Sequence, residues 1–285
     1  METLVNRSRP DRCPGALRPW PADDGLLVRL RLPGGHVAAT QLLALLDVAE
    51  RHGDGRVHVT TRTNLQVRGL PAAPGTQHLP EAVLADVEAT GLLPSRTHDL
   101  ARNIMASPQT GLAGGRADLR PLVRALDAAL LAAPALGNLP GRFLFVLDDG
   151  RGDLLDRTCD LGFVALSPED AQLRIGAAWG PVVPLRGAEE RLVSLALHFL
   201  GVRGDGPGAP WHVDELPKPL MDPASPAAEL PVSSPPLPYG PVPGGEHVPV
   251  PEGGLDRPAV ERLCAAAPAL VVTPWRGVLV PEEIS

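Results

Sequence analysis

Arginines are the residues in this chain best placed to do chemistry. Arg62 lies in VHVTTRTNLQVRGL (57–70), between two runs rich in β-formers, and Arg276 lies in LVVTPWRGVLVP (270–281), a second strand–turn–strand pattern. The two segments are about 210 residues apart, and a helix-like stretch precedes each. With Thr60 set on Thr273, Val59 falls on Val272 and Val67 on Val280, and Arg62 comes one place from Arg276. A guanidinium at the end of a strand can grip a carboxylate or another oxyanion with two parallel hydrogen bonds. The pattern therefore predicts two related half-modules, each with a cation at its turn. Arg102 stands in the apolar stretch LARNIMASP, where a charge needs either a ligand or a buried partner such as Asp99. Arg142 follows a Pro-Gly turn at the head of the strand-like run FLFVL.

Other chemistry has little footing. No His-Glu-x-x-His, Walker or Gly-x-Gly-x-x-Gly sequence is present, and the eight histidines are scattered. Cys13, Cys159 and Cys264 have no metal-site spacing, and an odd, sparse set points to a reducing compartment. Asp148 and Asp149 read first as a turn signature. The net charge of −7 argues against nucleic acid as a partner. No run approaches the length of a membrane span, so a soluble cytoplasmic protein is expected.

The elements that would carry these residues follow from periodicity. GLLVRLRL (25–32) alternates as a strand with Arg29 and Arg31 on one face. Leu42, Leu45, Leu46 and Ala49 mark a helix over 38–53, and strands follow at 56–60 and 64–70. This order defines a ferredoxin-like half-domain at 23–76, after an irregular arm at 1–22. Helices at 117–133 and 187–202, with strands at 142–150, 161–166 and 171–179, make a separate α+β domain over 93–202. The Pro- and Gly-rich stretch 203–249 reads as an extended linker. Residues 250–285 hold a short helix, capped by Asp256, and the second hairpin: a second half-domain that looks truncated.

The segments VTTRTNLQVRGL, ARNIMASP and LPGRFLFVLDDG, in that order, resemble the nitrite/sulfite reductase superfamily, whose pattern is Thr-Thr-Arg-x-x-x-Gln, Arg-Asn-x-x-x-x-Pro and Leu-Pro-x-Lys/Arg-Phe. The opening RPDRCPGALRPWPADDGLLVRLRLPGG and the closing VVTPWRGVLVP are most similar to its precorrin-3B synthase branch. The resemblance implies an α+β fold in which two ferredoxin-like half-domains flank a sulfite-reductase-type domain. It implies an oxidoreductase of cobalamin biosynthesis that hydroxylates and lactonises precorrin-3A with oxygen. Arg62, Gln66, Arg102, Asn103, Arg142 and Arg276 would face a tetrapyrrole, either a precorrin substrate or sirohaem. Leu144 stands where the reductases carry a second basic residue, which speaks against sulfite or nitrite as substrate. The family also implies an electron donor and a four-iron–four-sulfur cluster held by Cys-x5-Cys and Cys-x3-Cys. Those cysteines are not in this sequence. Three states are open on that ground: a shortened product, a chain completed by a second chain with the cluster domain, and a non-catalytic tetrapyrrole-binding module.

Overall fold

The computed structural model describes residues 13–206 and 208–282. In chain order its elements are β1 (Trp20–Ala22), β2 (Gly25–Leu30), β3 (His36–Ala38), α1 (Ala39–His52), β4 (His58–Val59), β5 (Leu65–Leu70) and α2 (Glu81–Ala89). Then come β6 (Ile104–Ala106), α3 (Arg120–Ala132), β7 (Phe145–Asp148), β8 (Leu161–Ala165), β9 (Asp170–Ile175), β10 (Ala178–Pro184) and α4 (Ala188–Arg203). Last are β11 (Gly240–Val242), β12 (Gly245–Pro249), α5 (Arg257–Ala266), β13 (Ala269–Val272) and β14 (Gly277–Pro281). The chain divides into two compact units. Leu100–Pro235 form one, inserted in sequence between the two parts of the other, Cys13–Asp99 and Pro236 onward.

The second of these units is a duplication. Its first sheet runs β1-β2-β5-β4, and its second runs β11-β12-β14-β13-β3. Leaving β3 aside, the two sheets have the same strand order, the same antiparallel pairing and a helix in the same place, α1 in one copy and α5 in the other. The helical spacing of Leu42, Leu45, Leu46 and Ala49 does put one face of α1 in the core, with all four side chains at most 1% exposed. Each such leucine contributes about 2 kcal/mol of transfer free energy. Val260 and Leu263 bring α5 into the same core. Asp256 caps α5 as expected, its carboxylate accepting the Ala259 N–H at 3.1 Å. Gly53 follows α1, at a place where a Cβ would lie 2.4 Å from the Arg68 carbonyl oxygen.

Three expected boundaries move. Trp20–Ala22 pairs with β2, so the end of the arm belongs to the first half-domain. Residues 93–99 stay with the duplicated unit, because the Asp99 carboxylate accepts the Ala16 and Leu17 N–H groups at 3.0 and 2.9 Å. The second half-domain begins at Gly240 rather than 250, with β11 and β12 drawn from the expected linker, and it has a counterpart of every element of the first but β3. Residues 1–12 of the arm lie outside the described residues.

The inserted unit is α+β, as the periodicity predicts. Its sheet runs β10-β9-β8-β7-β6, parallel across β6, β7 and β8 and antiparallel beyond. One face packs on α3 and α4 around Phe143, whose ring lies 5.3 Å from that of Phe145 and 5.1 Å from that of Phe199. Met105, Leu144, Val146, Leu154 and Cys159 form a second, smaller cluster. Residues 222–235 form no helix or strand but are bound to this unit. Ala224 N–H donates to the Trp179 carbonyl, and the Gln172 side chain bridges Ser225 and Ala227. Among the described residues, no helix is long and apolar enough to cross a membrane.

Candidate functional site

The duplicated turns are built alike. In the first, Thr60 N–H donates to the Asn64 carbonyl at 3.0 Å, and the Thr60 hydroxyl oxygen accepts the Asn64 N–H at 3.1 Å. In the second, Thr273 N–H donates to the Gly277 carbonyl at 2.9 Å, and the Thr273 hydroxyl oxygen accepts the Gly277 N–H at 3.2 Å. The fourth residue of each turn is left-handed, Thr63 at φ 56° and Arg276 at φ 58°. The alignment of Thr60 with Thr273 is thus the structural one, and Arg62 and Arg276 occupy the third and fourth places of equivalent turns.

A cleft of about 300 Å³ opens in this unit. Arg29, His58, Thr60, Gln66, Arg68 and Arg276 line it, with Glu252 as an acidic neighbour. Strand pairing sets the ladder: Gln66 of β5 stands opposite Arg29 of β2 on one side and His58 of β4 on the other. With the Gln66 amide turned so that its oxygen faces Arg29, it accepts from Arg29 Nε at 3.1 Å and Nη2 at 2.8 Å. Burial holds the Arg29 guanidinium below its usual range, and the nearby Arg62 charge lowers it further. Arg68 is tied to Asp24 at 2.9 Å. Several guanidinium groups on one concave wall can hold more than one carboxylate, or a single oxyanion.

Of the expected site residues, Gln66 and Arg276 line the cleft, and Arg62 stands half-buried in the adjoining turn. Arg29 and Arg68 are additions. Their alternation along the strands was visible, but only the β2–β5 register brings Arg29 to Gln66.

Arg102, Asn103 and Arg142 belong to the inserted unit. Arg102 is buried, at φ 67°, and its Nε and Nη2 donate to the two carboxylate oxygens of Asp127 at 2.6 and 2.9 Å. Of the two expectations for Arg102, the buried ion pair is the one seen, with Asp127 of α3 and not Asp99 as partner. A guanidinium committed in this way is a poor carboxylate clamp. Asn103 donates to the Leu100 and Gly141 carbonyls at 3.3 and 3.0 Å, which fixes the turn ahead of Arg142. Arg142 itself is exposed.

The same unit holds an acidic loop at 148–154, so the Asp148–Asp149 turn signature is borne out. Asp149 pairs bidentately with Arg151. Asp153 accepts the Ser107 hydroxyl at 2.7 Å, and its carboxyl is pushed up to about 7, first by burial and then by the Asp148 charge. The folded protein therefore keeps this proton where the unfolded chain, with an ordinary carboxyl, has lost it. Stability from this group is full below about pH 4 and is lost as the pH rises toward 7. Asp153→Asn, which keeps the acceptor for Ser107, is expected to flatten that slope and to raise the urea midpoint at pH 8 more than at pH 5.

The cysteines do not fit an iron–sulfur cluster. Cys159 is buried in the small apolar cluster and its thiol is pushed up to about 12. Cys264 donates to the Ala39 carbonyl, and burial raises its thiol too. Among the described residues, no three His, Cys, Asp or Glu side chains are grouped to hold a metal.

The fold and the cleft define a class: a duplicated β-β-α-β-β protein with an arginine-lined cleft, interrupted by an α+β unit. Residues 21–73 match the nitrite/sulfite reductase ferredoxin-like half domain, so the chain carries that half domain and is homologous to proteins of the nitrite/sulfite reductase superfamily. It is 38% identical over 132 residues to a ferredoxin–nitrite reductase of Synechococcus elongatus, covering 44% of this chain and 25% of that protein. It is 34% identical over 150 residues to a precorrin-3B synthase of Sinorhizobium sp, covering 51% of this chain and 30% of that protein. The matched stretches thus span less than a third of either relative. The fold is similar to that of the NirA protein of Mycobacterium tuberculosis, with a TM-score of 0.68 and 16% identity over 95% of this chain and 60% of that one.

Proposed function

We propose that this chain is the macrocycle-holding part of a precorrin-3B synthase-like oxidoreductase, and that its duplicated unit grips the carboxylates of a tetrapyrrole. The observation that carries this reading is the cleft, lined by Arg29 of β2 and Arg276 of the second Thr turn, with Arg68 of β5 beside them in its ion pair with Asp24. Arginine forks suit a polycarboxylate better than a small neutral substrate. Leu144 adds support: it is 3% exposed among apolar neighbours, so no second cation is available at that position for a small oxyanion. The chain's own residues supply recognition and orientation. Oxygen-dependent hydroxylation with lactone formation is the reaction class that the resemblance suggests, and its electrons would come from a donor or from a cluster-bearing partner.

The test is titration of the whole chain with uroporphyrin and with sirohaem, followed by absorbance. Saturable binding is expected. Arg29→Ala and Arg276→Ala should each weaken it about tenfold, the loss of one charge-assisted hydrogen-bond pair. No saturable change, or affinity indifferent to both substitutions, sinks the reading. Preferential binding of sulfite or nitrite would move the chain to the reductase branch.

A further inference from the structure

One position of the strand ladder sets the two copies apart. In the first copy, Arg29 faces Gln66, which also faces His58. In the second, the strand partners of Leu279 are His247 and Val271. Aligning the turns sets Leu279 on Gln66 and Val271 on His58, so His247 takes the place of Arg29. The exchange replaces a cleft-lining cation with a histidine that is 0% exposed.

His247 is bound on every side. Its Nδ1 lies 3.1 Å from the carbonyl oxygens of both Leu237 and Pro238. Carbonyls only accept, so Nδ1 carries the proton, and Nε2 is left to accept the Thr273 hydroxyl at 2.9 Å. The ring packs on Tyr239 at 4.7 Å and meets the edge of Trp275 at 6.3 Å. Burial lowers its basicity, in keeping with a neutral ring. A Cβ at Gly277 would come within 2.1 Å of Nε2, so the glycine closing the second turn makes room for the imidazole. The first turn closes on Asn64 instead.

What His247 grips is the turn that presents Arg276. Thr273 opens that turn, the Trp275 carbonyl accepts the Tyr239 hydroxyl, and the Arg276 carbonyl accepts the Val250 N–H at 2.9 Å. Arg276 sits at φ 58°, a conformation that costs a non-glycine residue about 1 kcal/mol and needs its neighbours to enforce it.

We infer that His247 is a positioning residue: through Thr273 it locks the left-handed Arg276 turn, and so sets the direction from which this guanidinium meets an anion in the cleft. This deepens the reading given under Proposed function and rests on it. His247 would touch no ligand. The duplication has specialised, with one copy spending this site on a cation and the other on the support of a cation.

A double-mutant cycle on the whole chain tests this, read as uroporphyrin affinity. His247→Phe keeps an aromatic ring and removes the hydrogen bonds to Leu237, Pro238 and Thr273. Alone it should weaken binding about tenfold, like Arg276→Ala. Combined with Arg276→Ala it should add less than twofold, whereas with Arg29→Ala the losses should multiply. His247→Gln, which retains a donor and an acceptor, should recover most of the affinity. Full multiplication with Arg276→Ala, or no effect of His247→Phe in a chain that melts normally, overturns the inference. If His247→Phe does not fold, Thr273→Val removes the same hydroxyl and is held to the same two criteria. Indifference to Arg29→Ala and Arg276→Ala themselves would instead remove the carboxylate-binding reading beneath it.

Discussion

Arg102→Ala is expected to destabilise the inserted unit by about 2–4 kcal/mol, read as a lower urea midpoint in Trp179 and Trp211 fluorescence with Trp20 and Trp275 changed to phenylalanine. The arginine and Asp127 side chains are only 9% and 20% exposed, so each has already given up most of its water. Removing one partner strands the other charge in that setting, which costs more than the pair itself contributes. Asp127→Ala should be comparably harmful. The double variant should regain part of the loss, because no charge is then left alone. A loss below about 1 kcal/mol, accompanied by weaker uroporphyrin binding, would return Arg102 to the ligand and refute the structural assignment.

Asp148→Ala should be as damaging, at about 3 kcal/mol or more. The carboxylate is 1% exposed and gathers three backbone donors: Gly150 and Gly152 on one oxygen, both at 2.9 Å, and Leu154 on the other at 3.0 Å. Alanine would leave all three N–H groups without this acceptor, and a buried unsatisfied donor costs about 1–3 kcal/mol. The expected sign is early protease cleavage within 148–156, ahead of global unfolding. Asp148→Asn should recover little, since its amide nitrogen would face a donor wherever it pointed. Wild-type resistance to proteolysis in the alanine variant would show that the loop is held by other means.

How far the residues alone reveal this arrangement depends on the range of each interaction. The α1 stripe, the Asp256 cap and the paired hairpins are local patterns and read directly. The β11–β12 hairpin does not, because Pro241, Pro243 and Pro249 make GPVPGGEHVP look like a linker. Proline is tolerated on an edge strand, and β11 is one. The Arg102–Asp127 pair spans a loop and part of α3, so nothing near Arg102 names its partner. The matching of Arg29 with His247 is more hidden still. Their neighbours are dissimilar, and only strand register makes them equivalent. Arg276 can be singled out because the turn that carries it is a local motif used twice, whereas Gln66, in β5, is named only through the family resemblance.

The short strand β3 has a consequence for the birth of the molecule. It is encoded early, yet it pairs with β13 of the second copy. Beside it, the Cys264 thiol meets the Ala39 carbonyl 225 residues away along the chain. A ribosome adding about 5–20 residues per second delivers that partner on the order of ten to fifty seconds later. Throughout that interval the amino-terminal copy waits on the ribosome with an uncovered strand edge, while the inserted unit is synthesised and can fold. The duplicated unit is therefore closed by its last-made piece, and its assembly is timed by translation as well as by its own kinetics.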